Sequence, residues 1–156
     1  MPKLLIVAAS APEVAPLSDF LNVHFETCGD GCFRKGTLEI FLLLSGIGLM
    51  ESAANIMEAQ FLFQPDFALQ VGIAGAYKRD LALGALVNVR EEILGDLGAE
   101  DKESFLDIFE LGLLGPDAGL YQSKKLVNSM DTFPFIPDFP GVSGLSVNRA
   151  AGGEAN

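Results

Sequence analysis

"FALQVGIAGAYKRDLALG" occupies Phe67 to Gly84. It runs apolar from Phe67 to Val71, meets Gly72 and Gly75, and turns polar at Lys78, Arg79 and Asp80. Glycine has no Cβ, so the backbone there can turn sharply or touch another group directly. Two readings stand side by side. One is a plain strand stop. The other is a ligand floor at the carboxyl end of a buried parallel strand, where open α/β sheets bind small molecules.

Working outward, the segment upstream is a helix, about Leu49 to Phe63, stopped by Pro65. Met50, Ala53, Ala54, Met57 and Phe61 recur at helical spacing, which predicts that this face packs on a sheet. Ahead of it lie the apolar run Phe41 to Leu44 and the turn Ser45-Gly46-Ile47-Gly48. Val23 to Thr27 and Phe33 to Ser45 read as a hairpin around Cys28-Gly-Asp-Gly-Cys32. Leu4 to Ala9 is a near-continuous apolar strand of the kind buried on both faces. Ser10-Ala-Pro-Glu13 then opens a short helix to about Leu21.

Downstream, Leu86 to Ile93 reads as a strand, Ser104 to Phe109 as a short helical turn, and the acidic residues Glu100, Asp101 and Glu103 as a solvated loop. From Gly112 to Pro140 periodicity is lost among prolines and Phe133, Phe135 and Phe139, which suits a pocket wall, a partner surface or a plain covering loop. Val142 to Asn148 resumes as a strand with no helix after it. Strands interleaved with helices predict a single α/β domain over residues 1–156. The architecture expected is a three-layer α/β/α sandwich around a mixed, mostly parallel sheet, incomplete at its C-terminus.

Composition narrows the function classes. The chain has 156 residues, 49% of them hydrophobic, enough for a real core and too apolar for disorder. Ten basic residues among 21 acids leave a net charge of −11, so neither nucleic acid nor an anionic membrane suits as a partner. No run approaches the ~20 apolar residues of a membrane helix, and Leu4 to Ala9 is short for a signal core. A soluble, cytoplasmic protein is expected. Two cysteines and one histidine, His24, do not make a four-ligand zinc site. The cysteines are expected to stay reduced as small hairpin residues, and His24 to be a strand residue.

Among residues that could carry chemistry, Glu13 stands out. Ser10-x-x-Glu13 has capping-box spacing, which explains the glutamate as a helix cap. Glu13 also lies just past the first buried strand, where a carboxylate ringed by apolar groups would have a raised pKa and could take a proton from water. Spacing alone favours the cap. Gly46-x-Gly48-x-x-Glu51 lacks the third glycine of a dinucleotide fingerprint and puts a carboxylate where a pyrophosphate would sit. No Walker loop and no serine–histidine pair is evident.

Taken in order, Ala8 to Val14 (AASAPEV), Ser45 to Gly48 (SGIG), Pro65 to Gly75 (PDFALQVGIAG) and Asp80 to Val89 (DLALGALVNV) resemble the purine nucleoside phosphorylase and nucleosidase superfamily. The nearest pattern is the nucleosidase branch that includes methylthioadenosine/S-adenosylhomocysteine nucleosidase. The run Gly95 to Leu113 (GDLGAEDKESFLDIFELGL) resembles futalosine hydrolase, the menaquinone-pathway member. The resemblance implies hydrolysis of an N-glycosidic bond, with futalosine giving hypoxanthine and dehypoxanthine futalosine. It implies Glu13 as general base, with Ser10 helping to hold the attacking water. Ile47 would lie near the ribose and the water, and Ala74 and Gly75 beside the base, with Gly48 and Ile73 as further substrate-binding residues. It implies no metal, no organic cofactor, and a homodimer formed across the helix after SGIG.

The chain departs from the pattern at its end. Family members continue into a Glu-Ser-Met-Glu ribose clamp and a serine–aspartate pair that protonates the purine, whereas this sequence stops at Asn156. Asn128-Ser-Met-Asp131 imitates the clamp but precedes the Val142 strand, the wrong side of it. Arg149-Ala-Ala-Gly152 offers no ring to cover a base. Residues 1–156 are thus read as the N-terminal two-thirds or so of a nucleosidase, and without the clamp and the acid they are expected not to catalyse appreciable hydrolysis alone; a non-catalytic purine-binding or dimerising remnant is the rival expectation. A phosphorylase ranks below both, because neither the Ser10 nor the Gly46 loop carries an arginine to hold phosphate.

Overall fold

The computed structural model of the chain describes residues 1–77, 79–102, 104–128 and 139–149. They belong to two compact units, Met1–Tyr77 and Lys78–Asn156.

The first unit contains β1 (Lys3–Ala8), α1 (Ala11–His24), β2 (Glu26–Gly29), β3 (Cys32–Lys35), β4 (Leu38–Leu44), α2 (Leu49–Phe63) and β5 (Phe67–Gln70). Its sheet has the order β2-β3-β4-β1-β5. β1 pairs in parallel with β4 on one side and β5 on the other, while β2, β3 and β4 pair antiparallel. Successive strand residues point to opposite faces, and β1 uses both. Ile6 packs with Leu21 of α1 and with Phe33 and Ile40, whereas Leu5 and Val7 pack with Ala59 of α2. The helices therefore cover opposite faces of the sheet, and the unit is a three-layer α/β/α arrangement, as expected.

Several local expectations are corrected. α1 runs to His24, so Val23 and His24 are helical rather than strand residues, and the helix ends where the Phe25 N–H bonds the Leu21 carbonyl at 2.9 Å. The arm from Phe33 to Ser45 is two strands, β3 and β4, divided at Gly36 with φ +59°. Cys28 and Cys32, expected as free thiols, are joined as a disulfide, because the tight β2–β3 hairpin holds their Cα atoms 5.2 Å apart. β5 is only half-buried, since it forms the edge of its sheet. α2 has the expected bounds but turns its other face inward. Ile56, Ala59 and Phe63 approach the sheet, and Met50, Met57 and Phe61 are exposed.

The second unit contains β6 (Asn88–Leu94), β7 (Gly98–Asp101), β8 (Ser104–Asp107), β9 (Tyr121–Gln122), β10 (Lys125–Val127) and β11 (Gly141–Ser146). One sheet has the order β11-β6-β10-β9, and β7 and β8 form a separate hairpin. The Ser104 to Phe109 stretch is thus mainly a strand, not a helical turn. Lys102, at φ +59°, turns the chain so that Asp101 pairs with Ser104. Asp107 then caps the following turn, accepting from the Phe109 and Glu110 N–H groups at 2.9 and 2.7 Å. Within the stretch after Gly112, Ser123 and Lys124 both have positive φ, the geometry of a two-residue hairpin loop, and join β9 to β10. β11 is the strand expected from Val142, and it pairs in parallel with β6.

Lys78, Glu103, Phe133, Phe135, the Ser129 to Asp131 part of the clamp-like tetrapeptide, and the Ala150 to Gly152 part of the stretch after β11 lie outside the described residues. Among the described residues, no helix is long and apolar enough to cross a membrane.

Candidate active site

Because β1, β4 and β5 run parallel, their carboxyl ends, Ala8, Leu44 and Gln70, lie along one edge of the sheet. That edge is where open α/β sheets bind ligands. The three segments that leave it meet in an open cleft of about 390 Å³. Ala9 and Ser10 come from the segment after β1, Ile47 from that after β4, and Ile73 from that after β5. Pro12, Glu13 and Pro16 of the first turns of α1 complete it. The walls are largely apolar, and among the described residues that line them Glu13 is the one carboxylate.

Glu13 is held from two sides. Its Oε2 accepts from the Ser10 backbone N–H and from the Ser10 hydroxyl, both at 2.8 Å. Its Oε1 accepts from the Ile73 N–H at 3.3 Å, sixty residues along the chain. The glutamate therefore fills its half of a capping box and ties α1 to the end of β5 at the same time. The Ser10 hydroxyl, and after it the Ile73 N–H, hold the Glu13 carboxyl below its ordinary range, outweighing the small effect of burial. This corrects the raised pKa expected from apolar neighbours: hydrogen bonds to the charged form win at an open cleft. A carboxyl depressed in the folded state adds stability above its unfolded pKa and loses it as pH falls through the folded value. Glu13 is thus ionised, as a proton acceptor must be, throughout the neutral range.

The Ser45 to Gly48 turn is braced from α2. Ser45 is buried, and its Oγ lies 3.2 Å from the Ser52 Oγ. The Ser52 hydroxyl donates to the Gly46 carbonyl and the Asn55 amide to the Ser45 carbonyl, both at 3.0 Å. Gly46, at φ +82°, carries the Glu51 carboxylate where a Cβ would stand. So braced, the turn presents Ile47 at 80% exposure to the cleft that Ile73, at 84%, also lines.

Of the residues singled out from sequence, Ser10, Glu13, Ile47 and Ile73 come together in the cleft. Gly48, Ala74 and Gly75 do not line it. Gly48 is the N-cap of α2, and Ala74 and Gly75 are exposed beyond β5. Ser52 and Asn55 were not singled out. Their spacing, three apart in the first half of α2, was the available signal, since it puts them on one face.

A parallel-centred α/β sheet with a carboxylate at the carboxyl ends of its strands defines the fold class, and comparison with known proteins narrows it. The model of the phosphorylase superfamily matches residues 3–138, and the chain belongs to that family. It is 30% identical over 130 residues to the 5'-methylthioadenosine/S-adenosylhomocysteine nucleosidase of Bacillus pumilus, covering 80% of this chain and 54% of the relative. The corresponding nucleosidase of Geobacillus kaustophilus is 38% identical over 96 residues, 59% of this chain and 40% of the relative. Among solved structures, the Streptococcus pneumoniae MTA/SAH nucleosidase in complex with 8-aminoadenine matches with a TM-score of 0.52 at 29% identity, over 61% of this chain and 44% of that one. A futalosine hydrolase mutant of Helicobacter pylori shares the fold with a TM-score of 0.54 at 22% identity, over 68% and 52%. The chain spans about half the length, or less, of the curated relatives it matches.

Proposed function

We propose that the protein hydrolyses the N-glycosidic bond of a purine nucleoside, with Glu13 activating the attacking water, and that residues 1–156 form one nucleosidase-like domain. The observation that carries this reading is an ionised Glu13, fixed by Ser10 and Ile73 at the carboxyl ends of three parallel strands. Water attacks the anomeric carbon and its proton passes to the Glu13 carboxylate; the bond to the purine nitrogen breaks, the purine takes its proton from solvent, and Glu13 returns its own to solvent. The sugar is oxocarbenium-like at the transition state, so the negative carboxylate also favours the developing positive charge. Ile47 and Ile73 present apolar surface suited to the flat faces of a nucleoside, with Gly48, Ala74 and Gly75 as further binding positions.

The substrate reading is futalosine, supported by the Gly95 to Leu113 run; the names of the sequence relatives favour methylthioadenosine and S-adenosylhomocysteine instead. Incubating the protein with futalosine and methylthioadenosine at equal concentration separates the two. Hypoxanthine is expected to appear first. Adenine first moves the assignment to the other branch, and release of neither base overturns the proposal.

The reading includes a homodimer. The outward face of α2 carries Met50, Met57, Phe61 and Leu62, each more than half exposed. Contiguous apolar surface of this kind marks an association site. Sedimentation is expected to give a dimer for the native protein and a monomer for Met57→Glu. A native monomer removes the dimer from the proposal.

A further inference from the structure

The two glycines that follow β5 are not equivalent. Neither has the left-handed φ that demands glycine. A Cβ at Gly75 would meet nothing within 4 Å, whereas a Cβ at Gly72 would stand 2.8 Å from the Glu13 Oε1 and 3.6 Å from its Cδ. Atoms that close must move apart; the backbone just before Gly72 is tied to the sheet, whereas the Glu13 carboxylate is the end of a flexible side chain. Val71 before it donates to the Val7 carbonyl at 2.8 Å, and Ile73 after it donates to Glu13 itself. The carboxylate would be the partner that gives way.

We propose that Gly72 is a positioning residue: its missing side chain is the space that lets the Glu13 carboxylate reach the Ile73 N–H and stand over the end of β5. The inference rests on the reading of Glu13 as the water-activating group and adds what places it. Ser10 alone fixes Oε2 within the helix cap, a local arrangement that any capped helix can make. Contact with the Gly72–Ile73 peptide is what turns the cap into a group aimed across the cleft.

The test is Gly72→Ala in the full protein, read in three ways. First, ¹³C NMR titration of the Glu13 carboxyl is expected to move up towards an unperturbed glutamate, about 4.3, because the Ile73 bond is lost. An unchanged titration overturns the proposal whatever the activity does. Second, purine release is expected to fall roughly 10²-fold, the scale for a group misplaced by about 1 Å. The same change made on top of Glu13→Gln should cost almost nothing more, since both act through one group. A titration that rises while turnover is untouched upholds the Gly72–Glu13 contact and overturns Glu13 as the activating group. Third, if Gly72→Ala is itself unstable, adding Glu13→Ala removes the colliding side chain and is expected to bring the unfolding midpoint to that of Glu13→Ala alone. Failure of that rescue assigns Gly72 another role and overturns the proposal.

Discussion

Replacing Glu13 by glutamine is expected to lower purine release by ~10²–10⁴-fold, the usual contribution of a general base. The substitution keeps the shape of the side chain and one acceptor oxygen, enough for the two Ser10 donors, but it sets an amide NH2 against the Ile73 N–H and removes the charge and the basicity. Stability should fall by no more than about 1 kcal/mol, the scale of a lost carboxylate at a helix N-terminus. That split between rate and stability is the informative result. A helix cap alone predicts the reverse pattern, with the unfolding midpoint shifted and the rate preserved. Purine release within tenfold of the native protein, with nucleoside binding intact, would return Glu13 to the role of a cap. The pH profile supplies a second reading. Because Ser10 and Ile73 hold the carboxyl low, the acid limb of kcat/KM should fall below about 4.3, where an unperturbed glutamate titrates. The glutamine variant should lack this limb.

The largest effect on stability is expected from Leu5→Ala. Leu5 is fully buried in the central strand, packed with Val7 and Ala59 between the sheet and α2. Leucine-to-alanine changes at such sites cost about 3–5 kcal/mol, since the lost transfer energy adds to the cavity left behind. Against a typical total of about 5–15 kcal/mol, this is a large fraction. Urea denaturation should show a lower midpoint with an unchanged slope. A cost below about 1 kcal/mol would mean that the Leu5 layer is not the core. Val23→Ala, at the exposed end of α1, is the contrasting case. It trims a side chain that is 76% exposed and should move the midpoint little.

The elements that could be read from the sequence were those whose pattern has a single physical solution. Leu4 to Ala9 has almost no polar residue, so a strand covered on both sides is the arrangement that hides it, and β1 is central. α2 has its expected ends because Gly48 and Pro65 punctuate it. Its orientation was not legible, because both faces carry apolar side chains. Small Ala59 lets the helix approach Leu5 and Val7, and Ser52 and Asn55 reach the turn below, so the bulkier Met50, Met57 and Phe61 are left outside. The Ser104 to Asp107 strand was also hidden. Four residues make no convincing period, and their pairing depends on a positive φ at Lys102 that a lysine does not announce.

The site divides along the same line. Local chemistry settled that Ser10 and Glu13 meet, because a serine and a glutamate three apart at a helix start find each other without help from the rest of the chain. It settled the helix, the strand and the glycine turns that carry the remaining positions. The sign of the Glu13 shift, the presence of Ile47 and Ile73 in one cleft, and the difference between Gly72 and Gly75 came only with the tertiary structure. Each depends on groups up to sixty residues apart that meet because β1, β4 and β5 end on the same edge of one sheet. A sequence pattern records which residues share a turn or a strand face. Which backbone N–H or Cα stands against a distant carboxylate is decided by strand order and register, and these arise from packing the whole sheet at once.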